Sequence, residues 1–337
     1  MPEIKTTVVG SYPIPAWLAA QPSEQAVVDA TRVVLHTQEQ AGIDLVCDGE
    51  LYRFDVNHPE TNGMIDYFVR PMAGMRAGIT FDELKAYRSR PGMAFRAKPP
   101  AVCEGPVGHG TLDLQSPCAR ARSLTRRPLK FTVTGPHMLA KTVHDLHYGE
   151  PEALAYAIAD VLAGQVAGLD ADVIQLDEAN LPGHPDEWRW AAEALNKVLR
   201  AIPTTPAVHL CFGNYGGQTV QQGTWAKLID YLNALHADHV VLECAHRPAE
   251  ELEVFRELRP EIGFGLGVVD IKRTEVESAD QIARAIERAE RILGPGRVRY
   301  IHPDCGFWML PRPVADAKIR ALVLGRDRFA RAGLTAR

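Results

Sequence analysis

No apolar run in the sequence approaches the roughly 20 residues that a bilayer-spanning helix needs, and the first residues, MPEIKTTVVGSYP, lack the basic start and apolar core of a secretory signal. Positive charge is not in excess: 37 Lys and Arg stand against 42 Asp and Glu, a formal net charge of −5. That removes the electrostatic reason to expect nucleic acid or an anionic membrane as a partner. Cysteine is sparse. Cys47, Cys103, Cys118, Cys211, Cys244 and Cys305 are scattered along 337 residues, which argues against a disulfide framework and for reduced thiols in a cytoplasmic protein. No internal repeat and no clean linker divides the chain, so residues 1–337 read as one domain. With 46% hydrophobic residues it can bury a large core.

What is present is a rhythm. Eight short β-rich runs can be picked out: TTVVG (6–10), DLVCD (44–48), KFTVT (130–134), DVIQL (172–176), PAVHL (206–210), HVVLE (239–243), IGFGLGVV (262–269) and RVRYI (297–301). Segments of helical periodicity separate most of them, among them EPEALAYAIADVLAGQVAG and ESADQIARAIERAERIL. The second opens on Ser278 with Gln281 three residues later, a capping box. Eight β-then-α units predict an α/β fold of the (β/α)8 TIM-barrel kind rather than an open doubly wound sheet. Residues 51–128 break the rhythm and read as an insertion after the second strand, with a hairpin expected around AVCEGPVGHGTLDL. Within it, DVNHPETNGMIDYF (55–68) carries Asn57, His58 and Asn62 and is a candidate lid. The basic stretch RARSLTRR (120–127) reads as a solvated loop.

Barrels of this kind carry their chemistry at the C-terminal ends of the strands. Those ends supply Gly10 and Ser11, Asp48 to Glu50, Asp177 and Glu178, His209 and Cys211, Glu243, Asp270 with Lys272, and Asp304 with Cys305. An imidazole, two thiols and a carboxylate (His209, Cys211, Cys305 and Glu243) form a mixed set suited to tetrahedral zinc. His-x-Cys alone is common by chance, so spacing leaves open whether the cysteines are ligands or buried thiols. Cys244 would point away from Glu243's side of a strand, toward the core.

Taken in order, VVGSYP, DGE (48–50), VIQLDEANL (173–181), HLC (209–211), VLECAH (241–246), GLGVVDIK (265–272) and HPDCG (302–306) resemble the catalytic domain of cobalamin-independent methionine synthase over essentially the whole chain. The resemblance implies a (β/α)8 barrel and a catalytic zinc (Zn2+) held by His209, Cys211, Glu243 and Cys305. It further implies that Glu50 and Asp177 hold the ammonium group of homocysteine, and that Gly10 and Ser11 hold its carboxylate. A paired acidic site of that kind disfavours a sulfonate or phosphate.

The chain departs from the family on the methyl-donor side. Phe95 and Arg96 stand where an Arg-Cys pair is expected, Thr142 where a tryptophan is expected, and Gly183 where a glutamate is expected. Lys272 replaces the proton-donating histidine that follows Asp270. The expectation is therefore a zinc-dependent homocysteine S-methyltransferase that does not use folate polyglutamate, with Asp270 and Lys272 as candidate catalytic residues. Its partners would be a small-molecule thiol and a corrinoid methyl-donor protein. Two alternatives stay open: transfer of an epoxide or another alkyl electrophile to a thiol such as coenzyme M, and a non-catalytic zinc-bearing barrel that binds a corrinoid or partner protein.

Overall fold

The computed structural model describes residues 3–55, 63–90, 96–214 and 218–335. Eight strands form one sheet: β1 (Lys5–Thr6), β2 (Val46–Cys47), β3 (Leu129–Thr134), β4 (Val173–Asp177), β5 (Thr205–Leu210), β6 (His239–Leu242), β7 (Gly263–Val269) and β8 (Val298–Pro303). Their spatial order is β1-β8-β7-β6-β5-β4-β3-β2, and every pairing is parallel. A parallel bridge between Thr7 and Leu45 joins the two ends of that order and closes the ring. The predicted TIM barrel is the fold found. β1 and β2 are shorter than their apolar runs because side chains take over the ladder: Thr6 N donates to the Asp44 carboxylate at 2.7 Å, and Cys47 N to Gln38 Oε1 at 2.9 Å.

Alternation on the strands sorts the residues. Phe131, Val133, Ile174 and Leu176 join the apolar layer under the helices, and the opposite face carries Lys130, Thr132, Gln175 and Asp177, all buried. A charged residue inside a barrel must be partnered. Lys130 Nζ donates to Gln175 Oε1 at 2.8 Å and to the Val8 carbonyl, while burial pulls its pKa down to about 8. Gln175 Nε2 in turn donates to Asp177 Oδ1 at 2.7 Å, so a polar chain climbs the interior toward the mouth.

The helices obey their caps. Ala279–Leu293 starts on the expected capping box of Ser278 and Gln281. Glu24–Ala41 starts on Ser23, whose hydroxyl accepts from Ala26 N, and stops at Gly42 with φ 89°, a conformation open to glycine.

The hairpin expected around 101–114 is not formed within that segment. Val102–Gly108 pairs antiparallel with Ala73–Arg76 and parallel with His144–Asp145. The would-be return arm is diverted: after Gly110 turns the chain at φ 56°, Asp113 accepts from the backbone of Gln115 and Ser116 at 3.0 Å and starts the helix Gln115–Leu124. Asn57, His58 and Asn62 of the candidate lid, and Phe95, lie outside the described residues. The basic stretch lies on that helix and just after it, before β3, at the end of the barrel away from the strand C-termini. There Arg122 is paired with Asp172 at 2.9 Å. Among the described residues no helix is long and apolar enough to cross a membrane.

Candidate active site and metal centre

The C-terminal ends of the strands surround a cavity of about 180 Å³. Its lining includes Ser11, Glu50, Asp177, His209, Cys211 and Cys305, six of the residues singled out in sequence. β4 and β5 place Asp177 beside His209 in parallel register, so the carboxylate and the imidazole sit on neighbouring strands at one height.

His209, Cys211 and Cys305 bring one ligand atom each within 4.8 Å of one another. His209 Nδ1 lies 2.8 Å from the Val241 carbonyl, which fixes Nδ1 as the protonated nitrogen and leaves Nε2 with its lone pair free. Nε2 is buried and has no hydrogen-bond partner of normal geometry among the described residues. Burial alone would lower the imidazole's pKa, but the Cys211 sulfur and the Asp177 carboxylate outweigh it and the pKa rises. The two sulfurs are 3.7 Å apart. Zinc–sulfur bonds of about 2.3 Å at a tetrahedral angle hold two sulfurs about 3.8 Å apart, so the spacing fits two thiolates on one zinc. With protein groups alone, the adjoining Cys305 thiol and then burial push the pKa of Cys211 well above its ordinary value. A soft cation is what would make such a pair ionise. An unpartnered buried nitrogen and two thiols at ligand spacing suit zinc.

Glu243 is not part of that group of three. Its buried carboxylate accepts from Lys272 Nζ at 2.9 Å through Oε1 and from Phe212 N at 2.9 Å through Oε2. Lys272 is itself buried, its side chain 5% exposed. Burial would lower its pKa, and the Glu243 carboxylate more than offsets that. Asp270 faces outward instead, 3.1 Å from His246 Nδ1, and does not line the cavity. Trp225, fully buried, donates from Nε1 to the Glu243 carbonyl at 3.0 Å and so braces that residue from behind.

Glu50 is the one non-glycine residue with positive φ among those described, at φ 60° and ψ 20°. Such backbone is costly for a side-chain-bearing residue and is kept where the surroundings over-determine it. Here they do: Asp48 Oδ1 accepts from Glu50 N at 2.9 Å, Thr132 Oγ1 donates to Oε1 at 2.6 Å, and Arg53 lies 3.2 Å from Oε2. Gly10 allows this approach, since a Cβ there would fall inside van der Waals contact of Glu50 Oε1. Ser11 sits on the other flank, where its carbonyl accepts from Phe307 N at 2.8 Å and its hydroxyl packs on Gly306, next to Cys305. Asp177 is buried, and its pKa is raised to about 6. Burial is the main cause and the nearby Glu50 charge adds to it, against the pull of His209, Gln175 and Arg53. Gly10→Ala is expected to displace the Glu50 carboxylate at an overpacking cost of about 1–3 kcal/mol. Thiol-substrate binding, measured by calorimetry, should weaken while metal content is kept.

Glu178 faces away from the cavity and caps the helix Pro136–Thr142, accepting from His137 N and Met138 N at 3.0 and 2.9 Å. Sequence reasoning missed Arg53. The signal available was an arginine three residues after Glu50, within reach across one turn. It also missed Gln221, whose side chain fills the space that any side chain at position 183 would need. The other departures turn inward. Thr142 donates its hydroxyl to the Leu139 carbonyl at 2.9 Å, and Arg96 is paired with Asp66 at 3.1 Å.

The family model described as the cobalamin-independent synthase, catalytic domain, matches residues 4–325. A methionine synthase of Thermococcus kodakarensis is 30% identical over 361 residues, covering 99% of this chain and 97% of that one. A methionine synthase of Sulfurisphaera tokodaii is 28% identical, covering 96% and 92%. The solved structure of a B12-independent methionine synthase from Shewanella sp. W3-18-1 in complex with selenomethionine superposes with a TM-score of 0.80 at 25% identity, covering 99% of both chains. The barrel, the thiol–imidazole cluster and these matches agree: the chain belongs to the cobalamin-independent synthase family, as its catalytic domain.

Proposed function

We propose that the protein is a zinc-dependent thiol methyltransferase that forms methionine from homocysteine, with a methyl donor other than folate polyglutamate. The observation that carries this reading is the convergence of His209 Nε2, Cys211 and Cys305 at the floor of a cavity whose wall holds Glu50 and Asp177. Zinc bound there supplies the positive charge that ionises a substrate thiol and keeps its sulfur nucleophilic. The chain's own residues do the rest. His209, Cys211, Cys305 and Glu243 would hold the metal, Glu243 being the ligand that yields to the thiol; Glu50 and Asp177 take the ammonium of the amino acid; Gly10 and Ser11 take its carboxylate, beside Cys305. The substrate sulfur then attacks the methyl carbon. One S–C bond forms as the donor's bond to that carbon breaks, and the electron pair leaves with the donor.

The donor side supports the second half of the proposal. Gln221 occupies the space at Gly183, Thr142 bonds back into its own helix, and Arg96 is spent on Asp66. Methyl-folate also needs a proton at its ring nitrogen to depart, which is general-acid work. Lys272, standing at the family's proton-donor position, is bound to Glu243. A corrinoid-borne methyl group needs no such acid, and a methyl-corrinoid protein is the donor that fits. Opening an epoxide would leave an alkoxide that asks for the same acid, so that reading is the weaker one.

The test is a matrix of donors against thiols: methyl-folate triglutamate, methylcobalamin and an epoxide, each with homocysteine, cysteine and coenzyme M. The expected result is methionine from homocysteine and methylcobalamin, with methyl-folate triglutamate a poor donor. Robust turnover with that folate would overturn the donor assignment, and turnover of coenzyme M alone would overturn the thiol assignment.

A further inference from the structure

Arg53 is the only arginine or lysine among the described residues that line the cavity. It ends the short helix Leu51–Arg53 that follows Glu50, and its side chain is 2% exposed. Its guanidinium is held firmly. Nη2 donates to Thr132 Oγ1 at 2.8 Å and to the Thr132 carbonyl, Nε donates to the Tyr52 hydroxyl at 3.1 Å, and the centre of the Phe68 ring lies 5.0 Å from Cζ. Nη1 stands 3.2 Å from Glu50 Oε2 but makes no hydrogen bond of good geometry among the described residues, so it meets that carboxylate as a charge. Around it, Glu50, Asp177 and Asp48 bring three buried carboxyl groups together, Asp48 through the hydrogen bond that its Oδ1 accepts from Glu50 N. Such a place welcomes an ammonium and repels a carboxylate. Yet Gly10, in the segment assigned to the substrate's carboxylate, comes so close to Glu50 Oε1 that a Cβ there would clash with it. Lys130 lies deeper in the barrel, bound to Gln175 and the Val8 carbonyl, and does not line the cavity. Arg53 is the cation placed to offset Glu50.

We infer that Arg53 sets the thiol specificity of the cavity: by offsetting Glu50 it admits a thiol that carries both an ammonium and a carboxylate, in preference to one that carries an ammonium alone. This rests on the amino-acid subsite proposed above and adds to it the residue that makes a carboxylate tolerable beside two acidic side chains. Arg53 acts through Glu50 as a positioning residue. Thr132 ties the two together, since its Oγ1 accepts from Arg53 Nη2 and donates to Glu50 Oε1 at 2.6 Å. Without Arg53 the wall holds one more uncompensated negative charge. The ammonium of either thiol keeps its partners, and the carboxylate of the amino acid alone meets the added repulsion. Lysine at this position would keep the charge while losing the planar fork.

The test is calorimetric titration of the zinc-loaded full chain with homocysteine and with 3-aminopropane-1-thiol, which is homocysteine without its carboxylate. The readout is the ratio of the two affinities, in which losses common to both ligands cancel. Wild type should favour homocysteine. Arg53→Met should shift the ratio about tenfold toward the aminothiol, the order expected on removing a unit charge several ångströms from the carboxylate at an effective dielectric constant of about 20. Arg53→Lys should keep the ratio near that of wild type. Glu50→Gln should move it the opposite way, and the double variant Arg53→Met/Glu50→Gln, with both charges gone, should bring it back toward wild type. A wild-type preference for the aminothiol, equal weakening of both ligands in Arg53→Met, or a ratio in Arg53→Lys shifted as far as in Arg53→Met would each overturn the inference. If Arg53→Met fails to fold, Glu50→Gln and the double variant decide. They differ by the same substitution without stranding a buried carboxylate, so their ratios should differ about tenfold, and equal ratios would overturn the inference. Wild-type protein that binds neither aminothiol more tightly than coenzyme M would overturn the amino-acid subsite itself, and that failure is seen before any variant is compared.

Discussion

Cys211→Ser and Cys305→Ser are each expected to abolish methyl transfer and to weaken zinc binding by at least about 10–100-fold, the loss typical even of residues behind a ligand. Serine preserves the shape of the side chain but not its chemistry. A hydroxyl is a harder donor than a thiolate and does not ionise near neutral pH, so the electron-rich pair that favours zinc is broken. The sulfurs stand 3.7 Å apart, and losing either removes one of the two thiolates that would hold the ion. Folding should survive, because each substitution removes little volume and both positions line a cavity. Cys244→Ser is the control: Cys244 adjoins Glu243 but lies outside the ligand group, so its zinc content should match wild type. Metal content by plasma emission spectroscopy, with circular dichroism to confirm the fold, separates the outcomes. Wild-type protein that turns over fully without metal would sink the zinc assignment.

The barrel was legible because its strands, being buried on both faces, had to be written as short apolar runs between amphipathic helices. β3 to β8 fall within a residue or two of those runs. β1 and β2 were overestimated, since apolar Val8 and Val9 are buried without being paired in the ladder. The direction of the strands then placed His209, Cys211 and Cys305 at one mouth, although Cys211 and Cys305 are 94 positions apart. What stayed hidden were the pairings that depend on side-chain reach across neighbouring loops. Lys272 could be read as a proton donor or as a salt-bridged lysine. Only the fold shows that β6 and β7 are adjacent and that its ammonium meets Glu243. Asp270 was picked for its place at a strand end, and there a carboxylate can turn outward as readily as inward; it turns to His246. The insertion was opaque for a related reason. Its strand Val102–Gly108 pairs with residues on either side of it in sequence, and local turn signals carry no trace of that.

Asp177→Asn is expected to weaken binding of homocysteine by about 2–5 kcal/mol, the usual loss when one partner of a buried charged contact is removed. The charges around the cavity explain why this carboxylate should matter more than its neighbour. Glu50 already has a cation of its own, since Arg53 stands 3.2 Å away with its guanidinium buried. Asp177 is buried with only Gln175 as its side-chain hydrogen-bond donor among the described residues, and its pKa is raised to about 6 by burial and by the Glu50 charge. An incoming ammonium would relieve that unfavourable burial of negative charge, so binding the amine and ionising Asp177 reinforce each other. Asparagine keeps the shape and can still accept from Gln175, but it offers the ammonium a dipole instead of a charge. Zinc content should be unchanged, because Asp177 adjoins His209 without being one of the clustered ligands. The same charges predict rejection of coenzyme M. Arg53 offsets one carboxylate, and the remaining negative charge would meet a sulfonate at close range, a like-charge contact that costs roughly several kcal/mol. Calorimetric titration of wild type and Asp177→Asn with homocysteine and with coenzyme M reads both expectations in one series. Tight binding of the sulfonate by wild type, or homocysteine binding that ignores Asp177→Asn, would show that the paired carboxylates do not select the amine.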